Sequence, residues 1–367
     1  MADGRENKKQ DGLNLPDRPA GGYLSGLSSF AELLGTVELA ARDAERLSRE
    51  LDEQNAGIPG KPKLPDIPNI PEAALSSQTA DKKEPEPTVE ELLAELDGLV
   101  GLTEIKRDVR SLMNLVQMRR RRREAGLKPP DITLHMVFYG NPGTGKTTVA
   151  RILGRLYRAA GVLPQGQLVE TNRAGLVAGF VGQTAPKTAE VVQSAIGGVL
   201  FIDEAYSLTP ENAQNDFGHE AVETLLTMME DNRDRLVVIA AGYRGEMERF
   251  ISSNPGLESR FARYFEFPDY TPEELFEILQ TQCRSREYSL TDGAAQTLKT
   301  YFQELHLLRG RNFGNAREVR NLLERAVSAH ADRLAAGTAD GEKPGEEQAR
   351  QELMLLTQAD AQAAISE

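Results

Sequence analysis

GNPGTGKT, Gly140 to Thr147, is the stretch on which the rest of the chain is read. An apolar run, LHMVFY (134–139), precedes it, and a helical pattern, VARILGRLYRAA from Val149, follows it. A glycine-rich turn between a strand and a helix lets successive backbone N–H groups curl around an oxyanion, and the helix N-terminus adds its positive dipole. Lys146 neutralises the outer phosphates and Thr147 offers a hydroxyl to Mg²⁺. Asn141, Pro142, Gly143, Thr144, Gly145, Lys146, Thr147 and Thr148 are therefore read as a phosphate cradle. Further on, VLFIDEA (199–205) is a buried strand that ends in two carboxylates. There Asp203 can hold the cation shell and Glu204 can polarise a water attacking a γ-phosphate, a pairing that signifies hydrolysis.

Outward from these two motifs, apolar runs alternate with helical segments. LVET (168–171), VLFID (199–203) and LVVIAAG (236–242) read as strands, with helices over 187–196 and 219–230. Continuous Val/Ile/Leu-rich strands separated by helices predict an α/β fold, a parallel sheet covered on both faces. Thr88 with Glu91 three residues later forms a capping box that opens a helix through Leu96. After Tyr270 the strands stop, and three helical stretches over 271–287, 291–308 and 315–335 predict a small all-helical domain. The expected divisions are 88–268 for the large domain, 269–336 for the helical lid and 337–367 for a tail.

The first 87 residues have a different character. Residues 1–29 are polar and rich in glycine and are expected to be disordered. Residues 30–55 carry Phe30, Leu34, Val37, Ala41, Ala44 and Leu51 at helical spacing, an amphipathic helix that either docks on its own domain or recruits a partner. Seven prolines between Pro59 and Pro87 make 56–87 a linker. With 43 Lys+Arg against 56 Asp+Glu the net charge is -13, which disfavours nucleic acid as a partner. The run Arg119–Arg123 is accordingly read as a solvated face or a subunit contact. One cysteine, Cys283, and four scattered histidines exclude a disulfide framework and a structural zinc site. No run of about 20 apolar residues suits a membrane span, so a cytoplasmic protein is expected.

LDGLVGLTEIKRDVR, VFYGNPGTGKTTVAR, FVGQTAPKT, VLFIDEAYSL, VVIAAGY, NPGLESRF and FGNAREVRNLLERA occur in that order between Leu96 and Leu334. In these motifs the chain resembles the AAA+ ATPases, in the branch that holds red-type Rubisco activases, the stage V sporulation protein K and the ATPase of type VII secretion. The resemblance implies ATP as the nucleotide, with Val100, Gly101 and Leu102 against its adenine, and Mg²⁺ held by Thr147 and Asp203. It further implies an arginine finger at Arg260, acting on a neighbouring subunit in a ring, usually hexameric, and a sensor arginine of the lid at Arg317. Asn172 stands where a polar residue restrains Glu204, and Phe180 with Val181 where a pore loop grips an unfolded or flexible polypeptide. The strand ending at Gly242 departs from the general pattern, since Tyr243 occupies the place of a polar, often asparagine, residue that positions water; a phenol can hydrogen-bond there instead. Two functions are thus expected: a ring ATPase that remodels or threads a protein client, or a nucleotide-dependent assembly scaffold with little turnover.

Overall fold

The computed structural model describes residues 86–130, 132–210, 216–310, 312–337 and 346–366. The chain divides into two units, Met1–Asp81 and Lys82–Glu367, and every described residue belongs to the second. The expectations for residues 1–29 and 30–55, and for nearly all of the linker 56–87, lie outside the described residues.

Five strands, β1 (Met136–Gly140), β2 (Leu168–Thr171), β3 (Val199–Ile202), β4 (Val237–Gly242) and β5 (Arg263–Phe267), form one sheet in the order β2-β3-β4-β1-β5. Every pairing is parallel, with Met136 opposite both Ile239 and Arg263, and Val199 opposite both Leu168 and Val237. Alternate residues serve opposite faces, as the pleat requires. Met136, Phe138, Val199, Phe201 and Ile239 enter one core, and Val137, Leu200, Ile202, Val238 and Ala240 the other. The unbroken apolar runs in the sequence follow from this double burial.

The first core is covered by α1 (Val89–Asp97), α2 (Thr103–Glu124) and α3 (Lys146–Ala159). α1 starts with the expected capping box, Glu91 N–H donating to Thr88 Oγ1 and Thr88 N–H to Glu91 Oε2. The second core is covered by α5 (Thr184–Ala195), α6 (Gly218–Asp231), α7 (Arg244–Ser252) and α8 (Pro255–Arg260), with the single turn α4 (Arg173–Leu176) leading into α5. Just ahead of β1, the buried His135 accepts the Val238 N–H on Nδ1 at 3.0 Å. Burial, reinforced by the charge of Arg260, pushes its pKa down to about 4.

After Tyr270 come α9 (Pro272–Ser285), β6 (Ser289–Leu290), α10 (Asp292–Leu307), α11 (Ala316–Gly337), α12 (Glu346–Met354), β7 (Leu355–Leu356) and α13 (Gln358–Ser366). The structure adds two features to this picture. The lid is helical but for a short parallel ladder, β6 with β7, which leaves no periodic trace because each strand is two residues long. Within the expected tail, α13 packs on α10 and α11 and buries Ala361 and Ala364. Asp360 locks it in place: its carboxylate accepts Arg333 Nε at 2.8 Å and Nη2 at 3.0 Å, and the Thr357 N–H at 2.7 Å. Burial alone would raise the Asp360 pKa, but the Arg333 and Thr357 bonds outweigh it and hold the carboxyl below the usual range.

Candidate functional site: a nucleotide pocket between sheet and lid

Because the five strands are parallel, their C-terminal ends form one edge of the sheet, and the loops leaving that edge build the site. Gly140 ends β1, and the turn that follows delivers Gly145 in a left-handed conformation, φ 93°, as the residue capping α3. Thr144 is fully buried and its hydroxyl donates to Asn141 O at 2.8 Å, so the loop is braced from within. Lys146 donates from Nζ to Gly140 O at 2.9 Å and to Asn141 O at 2.8 Å. Its pKa is pulled down to about 8, first by burial, against the opposing pull of Asp203 and with a further push from Arg317.

Asp203 follows β3 directly and extends its ladder, donating its N–H to Thr171 O at 2.8 Å. Glu204 takes φ 49° and ψ 44°, and its N–H is bound by Asp203 Oδ1 at 3.1 Å. A left-handed glutamate costs on the order of 1 kcal/mol, and the turn it makes brings Asp203 and Glu204 to the same cavity. Thr147 and Thr148, at the start of α3, line that cavity as well.

The cavity measures about 460 Å³ and lies between the sheet edge, the turn after α1 and the lid. Cationic Lys146, Arg317 and Arg320 face it, together with Pro142, Gly143 and Gly145 of the loop. Val100 and Leu102 contribute an apolar wall with Leu99 and Ile278. Gly101 supplies the left-handed turn between them, φ 62°, a conformation that strains any residue with a side chain. A pocket with a cationic, amide-rich part and a flat apolar part fits a nucleotide. Thr147 and Asp203 offer hard oxygen ligands, and no group of three His, Cys, Asp or Glu able to hold a metal occurs among the described residues. That donor set fits Mg²⁺ completed by phosphate and water.

Other expected residues lie elsewhere. Asn172 caps α4, its Oδ1 accepting the Gly175 N–H at 3.2 Å, and borders a second, more open cavity of about 490 Å³ with Glu204. Tyr243 caps α7 and lines the nucleotide cavity, its ring 6.1 Å from that of Tyr206. Arg260 is absent from the cavity lining; its Nη2 lies 3.4 Å from Glu230, and its buried Nε has no hydrogen-bond partner among the described residues. Phe180 and Val181 stand 72% and 84% exposed on the loop between α4 and α5.

The sequence reading missed the clamp that joins lid to loop. Asn315 is fully buried in a left-handed conformation, φ 50°. Its Oδ1 accepts the Tyr270 N–H at 2.9 Å, and its Nδ2 donates to Asp269 Oδ1 at 2.8 Å and Phe313 O at 3.0 Å. Asn141 Nδ2 donates to the same Asp269 at 2.9 Å, the Ala316 N–H binds Gly143 O at 3.2 Å, and Tyr270 Oη donates to Thr144 O at 3.2 Å. Gly143, φ 74°, has its Cα against Gly314 O and Arg317 N, leaving no space for a side chain. The one sign of this in the sequence is the Gly-Asn pair just before the lid helix.

A phosphate-binding loop opening α3, an Asp-Glu pair after β3 and a helical lid closing over both define a P-loop ATPase with a lid. Residues 136–269 match the ATPase family associated with various cellular activities (AAA), and residues 271–367 match the AAA lid domain. The chain is 43% identical to stage V sporulation protein K of Bacillus subtilis, over 68% of this chain and 77% of that one. It is 48% identical to protein CbbX of Cereibacter sphaeroides, over 66% of this chain and 79% of that one. It is 44% identical to the chloroplastic ribulose bisphosphate carboxylase/oxygenase activase of Cyanidioschyzon merolae, over 68% and 86%. The chain belongs to the AAA family of ATPases, in the branch these relatives share.

Proposed function

We propose that this ATPase assembles into a ring, of six subunits by the expectation above, and uses hydrolysis to remodel a protein client at the Phe180–Val181 loop. The observation that carries this reading is that loop: two large apolar residues almost fully in solvent, flanked by Gly179 and Gly182 with open space around both. A mobile aromatic tip grips many sequences because a ring face packs on almost any side chain. Ring assembly is supported by Arg260, which is absent from the lining of its own subunit's nucleotide cavity and keeps part of its side chain exposed beside Glu230.

Within the pocket, the loop N–H groups and Lys146 bind the phosphates of ATP, and Val100, Gly101 and Leu102 take the base. Glu204 orients the attacking water and accepts its proton, with Asn172 restraining the carboxylate and Tyr243 beside it. Bound Mg²⁺, held by Thr147 and Asp203, would neutralise phosphate charge. Arg260 of the neighbouring subunit meets the charge that develops at the γ-phosphate, and Arg317 ties nucleotide contact to the lid. Among the described residues no helix is long and apolar enough to cross a membrane, and the single Cys283 is free and buried, which suits the cytoplasm. Residues 1–87 are assigned client recruitment on their sequence alone.

The test is ATP turnover as a function of protein concentration, with the mass of the assembly measured alongside. Turnover per subunit is expected to rise as the ring forms, and to drop at least a hundredfold, roughly, in Glu204→Gln and Arg260→Ala. Assembly on ATP without turnover would favour the scaffold reading instead.

A further inference from the structure

Glu204 holds a strained conformation, φ 49° and ψ 44°, and such a residue persists only where its surroundings over-determine it. Part of the restraint is local: the Ser207 N–H donates to Glu204 O at 2.9 Å and closes the 3-10 turn Ala205–Leu208. The rest comes from across the chain. The carbonyl of the same Ser207 accepts Arg173 Nη1 at 2.7 Å, over a separation of 34 residues. Arg173 Nη2 reaches both oxygens of Asp216, at 3.0 and 2.9 Å, and Asp216 Oδ1 also accepts the Gly218 N–H at 2.5 Å, where α6 begins. One guanidinium thus staples the turn after β2, the turn after β3 and the start of α6. The ion pair is sheltered, the Asp216 side chain being 6% exposed and that of Arg173 33%, so water screens it less than an open surface pair.

The backbone that carries Arg173 is fixed from its other side. Lys187 Nζ of α5 donates to Ala174 O at 2.7 Å and Val177 O at 2.9 Å, and the buried Thr188 donates from Oγ1 to Leu176 O at 3.0 Å. Arg173 is absent from the lining of the nucleotide cavity but borders the more open one with Asn172, Glu204 and Ser207. We propose that Arg173 is a positioning residue for hydrolysis: held by Asp216, it fixes Ser207 and through it the turn that aims the Glu204 carboxylate. This rests on the reading of Glu204 as the group that orients the attacking water. Without the guanidinium, Ser207 O and Asp216 lose their donor and the Glu204 turn relaxes away from its left-handed conformation. A displacement of about 1 Å at a reacting group is enough to slow the chemical step on the order of a hundredfold. Nucleotide binding, made by other residues, is spared.

ATP turnover and ADP calorimetry on the full chain in Mg²⁺ separate these two effects. Turnover is counted per ADP site titrated, so that an unfolded fraction does not pass for a slow enzyme. Arg173→Ala is expected to lose at least tenfold, roughly, in kcat while the KM for ATP and the Kd for ADP stay within about twofold. Arg173→Lys keeps the charge but not the two-sided fork, and should recover part of the loss. Asp216→Asn keeps an acceptor for the Gly218 N–H and removes the charge that holds the guanidinium, so it should lower kcat in the same way. The double variant, Arg173→Ala with Asp216→Asn, should be no slower than Arg173→Ala alone, because both act through one staple. A wild-type kcat in Arg173→Ala overturns the assignment, as does a loss of ADP affinity that matches the loss of turnover, or losses that multiply in the double variant. Should Arg173→Ala not fold, a wild-type kcat in Asp216→Asn overturns it. Glu204→Gln, measured alongside, tests the reading beneath: if that variant still hydrolyses ATP, the role of Glu204 fails and the proposal with it.

Discussion

Burial does more to Lys146 than the acids around it do, and its pKa of about 8 has a consequence that can be read in solution. A polyphosphate bound beside the ammonium raises that pKa again, so affinity is full below pH 8. Above it, binding must first return a proton to the lysine, and ADP affinity is expected to fall by up to about tenfold per pH unit until the bound-state pKa is reached. An affinity unchanged between pH 7 and 9.5 would contradict this. His135 works in the other direction on stability. Its folded pKa of about 4 lies below the ordinary 6.5, so the unfolded chain binds more protons between those values. The stability it supports is complete above pH 6.5 and is lost as pH falls toward 4, a difference on the order of 3 kcal/mol. Denaturant unfolding at pH 7.5 and 4.5 checks this. His135→Asn keeps an acceptor for Val238 N–H without the titration, and should lose less stability on acidification than the wild type.

At the scale of elements, the starts of α11 and α13 carry more than their composition suggests. Asn315→Ala strips the acceptor from Tyr270 N–H and a donor from Asp269, and leaves an alanine at φ 50°. A loss of about 2 kcal/mol in stability is expected, together with weaker ADP binding, because the loop that holds phosphate is tied through Asp269 to the same side chain. Urea unfolding and ADP titration of the variant measure the two effects, and a variant that loses stability with ADP binding intact would separate clamp from site. In the lid, Asp360→Ala leaves Arg333 without its carboxylate and the Thr357 N–H without its acceptor. Here α13 is expected to detach locally, seen as faster amide exchange and early protease cleavage beyond residue 346, while β1 to β5 keep their protection.

Across the whole molecule, the trans role assigned to Arg260 makes activity a property of pairs. Glu204→Gln has an inactive pocket but an intact finger, and Arg260→Ala the reverse, so a mixture of the two inactive proteins is expected to recover measurable ATP turnover; no recovery would mean that Arg260 serves its own subunit or none. The phosphate loop, the Asp203–Glu204 pair and all but one of the sheet's strands were legible in the sequence because each is a local pattern: a glycine spacing, an apolar run, two adjacent acids. β5 alternates buried Phe265 and Phe267 with exposed residues, a weaker mark than an unbroken apolar run. What stayed hidden joins distant parts of the chain. Asn315 meets Tyr270 45 residues away, and β6 meets β7 across most of the lid, and neither contact leaves a periodic mark on either partner. Gly143, pressed against Gly314 and Arg317, bears on how such proteins can be recombined. A lid transplanted from a relative would meet this loop at a surface where no extra atom fits, so loop and lid must be inherited together, and a chimera should be cut inside the sheet rather than at the apparent border between the two domains.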